Sequence, residues 1–191
     1  MKEALWRQRR LVAVLLIFAI LFAAAEFSGL REHFSLAYVH DTLVANPAGG
    51  LVVFTLLFAL GNLIQIPGWV FLAAAVLALG RTWGGLATYV AASFSCAVTY
   101  FTVHFLGGDA LRRLESPLAQ RLLARLDAHP LSSIVALRLI FQTLPALNVA
   151  LALSGVGFWR YLAGTLLGLP LPIAAYCLFF DTLARHLLGK P

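Results

Sequence analysis

Between Asp41 and Asp109 this chain carries one formal charge, Arg81, and further charge-free stretches cover 11–25, 139–159 and 161–180. An apolar run of about 20 residues is long enough to cross a bilayer as a helix. Composition points the same way. Hydrophobic residues make up 61% of the chain and charged residues 12%, and the mean hydropathy is +0.89. Soluble domains are nearer half apolar and a quarter charged. A soluble fold of 191 residues has too little interior to hide so much apolar surface. The pattern predicts an all-α polytopic membrane protein and excludes a soluble enzyme, a nucleic-acid reader and a disordered chain.

The net charge of +6 does not point to nucleic acid as a partner. Its basic residues sit at the edges of apolar runs: Lys2, Arg7, Arg9 and Arg10, then Arg112, Arg113, Arg121 and Arg125. That placement suits anionic headgroups and the positive-inside rule, with the N-terminus cytoplasmic. Cys96 and Cys177 lie inside apolar runs and read as small apolar fillers. No metal spacing, phosphate loop or nucleophile elbow is present, so no cofactor, metal or catalytic residue is expected.

The chain divides into 1–47, 48–184 and a tail at 185–191. The first part reads as a signal-anchor helix from Leu11 followed by a short interface helix; a cleaved signal peptide and a plain loop are the alternatives. In the second part, segment 51–79 is apolar but interrupted by Gly61-Asn62 and Gln65-Ile66-Pro67-Gly68. Pro67 removes a backbone donor and Gly68 permits a reversal. Broken backbone at membrane depth survives only when buried in protein or lining a wet cavity. A kinked span and a re-entrant hairpin both fit. The hairpin, followed by a span over 82–106, returns Arg112, Arg113, Arg121 and Arg125 to the cytoplasm, and the positive-inside rule prefers it.

Residues 109–128 then form a cytoplasmic amphipathic helix, with Ser116-Pro117 at its start and Leu118, Leu122 and Leu126 on one face. Segment 131–155 repeats the interrupted pattern through Arg138, Gln142-Thr143-Leu144-Pro145, Asn148 and Gly155; charge leaves hairpin and span equally open there, and with them the side of the C-terminus. A last span covers 158–184. It holds Gly164 and Gly168 at the spacing for close helix packing, and Pro170 and Pro172, which should kink it. Trp83-Gly84-Gly85-Leu86-Ala87-Thr88 resembles Trp159-Arg160-Tyr161-Leu162-Ala163-Gly164, and each follows a segment broken at Pro67 or Pro145. The expected architecture is about three full spans plus two re-entrant hairpins in an inverted repeat.

The ordered set Ile66-Pro67-Gly68, Gly80, His104, Gly107, Arg138, Pro145, Asn148, Gly155 and the run from Phe158 to Pro170 resembles the DedA superfamily, also described as the VTT or SNARE-associated Golgi protein domain. The likeness covers roughly 51–180. It implies two hairpins meeting near the bilayer midplane and a role in moving lipids between leaflets, and for a bacterial member it implies the inner membrane. The chain departs from DedA proteins proper. It has Asn62, Gln65 and Trp69 where they carry acids near the first hairpin, Phe141 in place of a proline, no second arginine over 142–144, and His104 in place of a basic residue. It is closer to the divergent VTT branch, and these departures count against proton coupling.

Arg138 is the only formal charge between Asp127 and Arg160. A charge inside the membrane costs several kcal/mol and marks a functional site or a snorkelling side chain. With no acid nearby in sequence, a lipid phosphate is a coherent partner for its planar fork. Gln142, Asn148, Gln65 and Asn62 either satisfy backbone freed at the breaks or line a polar throat between the hairpin tips. His104, Asp181 and Glu26 are the candidate proton relay. The function expected is a lipid translocase or scramblase acting on an anionic phosphate headgroup. A small-solute or ion transporter and a non-transporting assembly factor are the alternatives. Homo-oligomerisation is left open.

Overall fold

The structure, a computed structural model, describes residues 47–108, 110–113, 117–142 and 144–188, and eleven isolated positions before them (12, 13, 16, 17, 19, 20, 23, 24, 40, 41 and 44). Apart from those positions, the anchor and interface helices expected over 1–47 lie outside the described residues, and so does Glu26.

Prolines and glycines set the element ends. The helices are α1 Pro47–Leu63, α2 Gly68–Gly107, α3 Pro117–Ala128, α4 Pro130–Phe141, α5 Pro145–Leu153, α6 Phe158–Gly168 and α7 Pro170–Leu188, with a 3-10 turn at Ala110–Arg113. α1, α3, α4, α5 and α7 each begin at a proline, whose fixed φ and missing N–H suit a first helical turn. All described elements are helical, and two runs, Gly68–Gly107 and Phe158–His186, are long and apolar enough to cross a membrane.

α2 is not one rod. Gly80 inside it has φ 76° and ψ 172°, a conformation that glycine enters without steric cost. The chain doubles back there. A Cβ on Gly84 would lie 2.5 Å from the Ala75 carbonyl oxygen, whereas in a straight helix these residues stand about 13 Å apart along the axis. Residues 68–79 and 81–107 are therefore separate helices in glycine contact.

α1 packs against 68–79. The ring of Phe71 meets those of Phe54 and Phe58 at centroid distances of 6.3 and 4.8 Å, and all three are buried. Gly61 admits the Phe71 ring, since a Cβ there would lie 2.5 Å from it. The reversal between them is closed by the Ile66 N–H on the Gly61 carbonyl at 2.7 Å. The second pair, α4 and α5, is splayed: α4 packs on α6 and α5 on α2.

The two pairs approach 81–107 from opposite ends. The end of α1 reaches Ser95 and Thr99 through Asn62. The start of α5 reaches Cys96 through Asn148, while its far end lies beside His104 and Tyr100. Both reversals therefore sit midway along a helix about 40 Å long. α6 and α7 run antiparallel to 81–107: Phe158 stacks near Tyr100, Tyr89 OH donates to the Leu166 carbonyl at 3.1 Å, and Asp181 lies 3.9 Å from Arg81. The ladder persists past Pro170 through the Ile173 N–H on the Leu169 carbonyl.

α3 turns one edge of its apolar face inward. Leu123 and Leu126 are buried and Leu122 is exposed. Its rotation suits a two-point ion pair, Arg112 Nη1 and Nη2 donating to the Asp127 carboxylate at 2.8 and 2.5 Å. That pair holds Asp127 below the usual carboxylate range, chiefly through the hydrogen bond from Arg112. Arg112 also lies over Gly155, at the base of α5.

Candidate functional site

α6 lets α4 bury a charge. Its glycines face α4 closely: a Cβ on Gly164 would lie 2.7 Å from Ile134 Cβ, and one on Gly168 2.6 Å from Arg138 Cβ. At this contact Arg138 is 0% exposed. Its Nη1 donates to Asn148 Oδ1 at 2.6 Å and to the Gln142 carbonyl at 3.0 Å. Nη2 donates to Tyr161 OH at 3.1 Å and Thr165 Oγ1 at 3.2 Å, and Nε to Thr165 Oγ1 at 3.3 Å. A guanidinium has five N–H donors, and these bonds occupy all of them. Every acceptor is a neutral oxygen, so the charge is solvated by protein dipoles and not cancelled.

From Arg138 the hydrogen bonds continue across four helices. Asn148 Nδ2 donates to Asn62 Oδ1 at 3.2 Å. Asn62 Nδ2 donates to Ser95 Oγ at 2.9 Å and Thr99 Oγ1 at 3.4 Å. Ser95 Oγ donates to the Phe58 carbonyl, and Tyr161 OH to the Cys96 carbonyl. Cys96 Sγ is 3.5 Å from Asn148 Oδ1. Buried amides and hydroxyls that are fully bonded in this way rigidify and specify the contact they bridge.

Arg138, Gln142, Asn148 and Asn62 thus converge. Gln65 sits at the first reversal with φ 65°, half-buried and outside the cluster. Gln142 occupies the matching place in the second, at φ 49° and ψ −118°. Pro67 and Gly68 lead into 68–79, Pro145 heads α5, and Gly155, at φ 75°, ends that pair as Gly80 ends the first. His104 stacks on Tyr100 at 5.3 Å, with Nδ1 3.3 Å from the Ala152 carbonyl. Asp181 pairs with Arg185 at 3.2 Å and Arg81 at 3.9 Å. His104 and Asp181 therefore stand at opposite ends of 81–107 and are not joined.

Tyr161, Thr165, Ser95, Thr99 and Cys96 were not expected in the site. Tyr161 with Thr165, and Ser95 with Thr99, are polar pairs four residues apart in apolar helices. That spacing puts each pair on one helix face and is the signal that could have found them.

A buried, uncancelled arginine at the meeting of two broken helical pairs, inside an apolar all-helical body, defines an integral membrane protein with a polar centre. The chain belongs to the VTT-domain family of the DedA superfamily: residues 66–182 match the VTT domain. No curated protein and no solved structure matches it.

Proposed function

We propose that this protein moves phosphate-bearing lipids between leaflets, with α1/68–79 and α4/α5 entering the membrane as re-entrant hairpins from opposite faces. The observation that carries the reading is Arg138, wholly buried where the reversals meet and bonded only to neutral groups. An intramembrane charge is costly and is retained where it has work to do. Its bonds to Asn148 and the Gln142 carbonyl bridge the two legs of the second hairpin, and Asn148 continues to the first. When the tips part, phosphate oxygens replace those acceptors on the guanidinium fork, while the acyl tails stay in lipid. No carboxylate occupies either hairpin, so exchange depends weakly on a proton gradient. The setting proposed is a bacterial inner membrane, with the N-terminus cytoplasmic.

Reconstitution tests this. Vesicles of phosphatidylcholine and phosphatidylglycerol with a fluorescent phosphatidylglycerol should show protein-dependent leaflet exchange. Arg138→Ala should abolish it, and Arg138→Lys should restore part, because an ammonium has charge without the planar fork. Solute flux without lipid exchange would favour a transporter, and neither would favour an assembly factor. A folded Arg138→Ala protein that exchanges lipid at the wild-type rate removes the reading.

A further inference from the structure

Beside the Arg138 cluster lies a cleft of about 170 Å³. Pro67, Gly68 and Trp69 line one side of it, and Gln142, Pro172 and Tyr176 the others. Two sets of donors there lack partners. Gln142 is 9% exposed, and its backbone is engaged on both sides, the carbonyl taking Arg138 Nη1 and the N–H donating to the Arg138 carbonyl. Its carboxamide has no hydrogen-bond partner among the described residues, and its tip is not sealed off but open to the cleft that Gln142 lines. Across from it α2 begins at Gly68, and its N-cap, Pro67, supplies no side-chain cap. The first N–H groups of a helix have no partner within it; here the Val70 N–H donates to the Pro67 carbonyl at 3.2 Å, which leaves those of Gly68 and Trp69.

The electrostatics at this cleft have one sign. A helix N-terminus carries about half a positive charge. Arg138, one hydrogen bond behind Gln142, adds a charge that no carboxylate cancels. No acidic residue lines the cleft. Trp69 and Tyr176, both partly exposed, are amphipathic aromatics at its rim.

Gln142 also holds a backbone conformation, φ 49° and ψ −118°, that a residue with a Cβ adopts only under constraint. The Arg138 bond to its carbonyl supplies that constraint.

We infer that this cleft docks a phosphate group, held by the Gln142 carboxamide and the N–H groups of Gly68 and Trp69 at the start of α2, before the group reaches Arg138. Arg138 is then a positioning residue for the docked state. The inference rests on the lipid-translocation reading for its choice of ligand. The same chemistry would take a lipid headgroup or free phosphate.

The test uses the full chain in phosphatidylcholine nanodiscs doped with phosphatidate, with retained phosphatidate counted by native mass spectrometry. Gln142→Glu keeps the size and sets a carboxylate against the ligand; retention should fall about tenfold or more. Gln142→Gly suits the backbone conformation and removes the donor, so it should fold and also lose retention. Displacement by inorganic phosphate would show that the phosphate group alone is recognised. Gln142-dependent retention without such displacement would assign the site to a bilayer-presented headgroup. Wild-type retention by both folded variants overturns the inference. Leaflet exchange that persists alongside such Gln142-independent retention keeps the translocase and discards the cleft. Gln142-dependent retention without leaflet exchange keeps the cleft and discards the translocase.

Discussion

Asn148 Nδ2 donates to Asn62 Oδ1 at 3.2 Å, and both residues are buried. This amide pair joins α1 to α5, one helix from each broken pair. The two ends of the bond are not equivalent. Asn148 also accepts from Arg138 and Cys96, whereas Asn62 turns to the hydroxyls of Ser95 and Thr99.

Removing Asn148 takes one acceptor from a buried cation that keeps its bonds to the Gln142 carbonyl, Tyr161 and Thr165, and removing Asn62 strands only neutral groups. Asn148→Leu should cost about 3 kcal/mol or more, because an unsatisfied buried partner costs about 1–3 kcal/mol when neutral and more when charged. Asn62→Leu should cost about 1–3 kcal/mol, the range for an unsatisfied neutral partner. The double variant should lose less than the sum, because the residues share a bond. Denaturant unfolding in detergent measures all three. Equal losses for the two single variants would mean that Arg138 does not depend on Asn148.

Gln142 should separate stability from function. Glycine there relieves a conformation that costs a non-glycine residue about 1–3 kcal/mol. Gln142→Gly should melt at a higher temperature than the wild type while exchanging lipid more slowly. The reverse pattern, a lower melting temperature with normal exchange, would show that the side chain serves packing alone.

Much of this arrangement is legible in the sequence. Pro67 and Pro145 mark the reversals because a residue without an N–H has few places in an apolar helix. Gly164 and Gly168, four apart, mark a helix contact, though not that the neighbour would be Arg138. Arg138 stands out as a lone charge, but its acceptors do not, since Tyr161 and Thr165 look like ordinary residues of a span. Periodicity shows which residues share a face and says nothing of the element they face. Likewise the repeat of Leu118, Leu122 and Leu126 does not show that Leu123 and Leu126 are the leucines buried. The fold back at Gly80 is visible as a glycine, yet the contact of Gly84 with Ala75 needs three dimensions.

The Arg112–Asp127 pair predicts an acid limb in stability. Its folded pKa lies below the unfolded value of about 3.9. The contribution is therefore complete above the unfolded value and is lost as pH falls through the folded one. Melting temperature should drop on acidification below about pH 4, and Asp127→Asn should flatten that limb and match the acid plateau. An identical acid slope in Asp127→Asn would place the dependence on other carboxylates. Because Arg112 covers Gly155, the same variant should also raise hydrogen exchange at the end of α5.

Membrane topology decides whether the first pair is re-entrant. Leu51 and Thr55 of α1 line a groove with Leu79 and Trp83, so the start of α1 lies beside the fold back at Gly80. If the pair enters and leaves by one face, Gly49→Cys and Thr82→Cys should both be labelled by an impermeant maleimide from the non-cytoplasmic side. The background carries Cys96→Ser and Cys177→Ala, since both native cysteines are buried and free. Residues 113 and 121, changed to cysteine one at a time, should label only from the cytoplasmic side. Labelling of positions 49 and 82 from opposite sides would turn α1 with 68–79 into a crossing segment. It would also place Arg112, Arg113, Arg121 and Arg125 outside, against the positive-inside rule. The two reversals would then no longer enter from opposite faces, and the case for lipid translocation would fall with them.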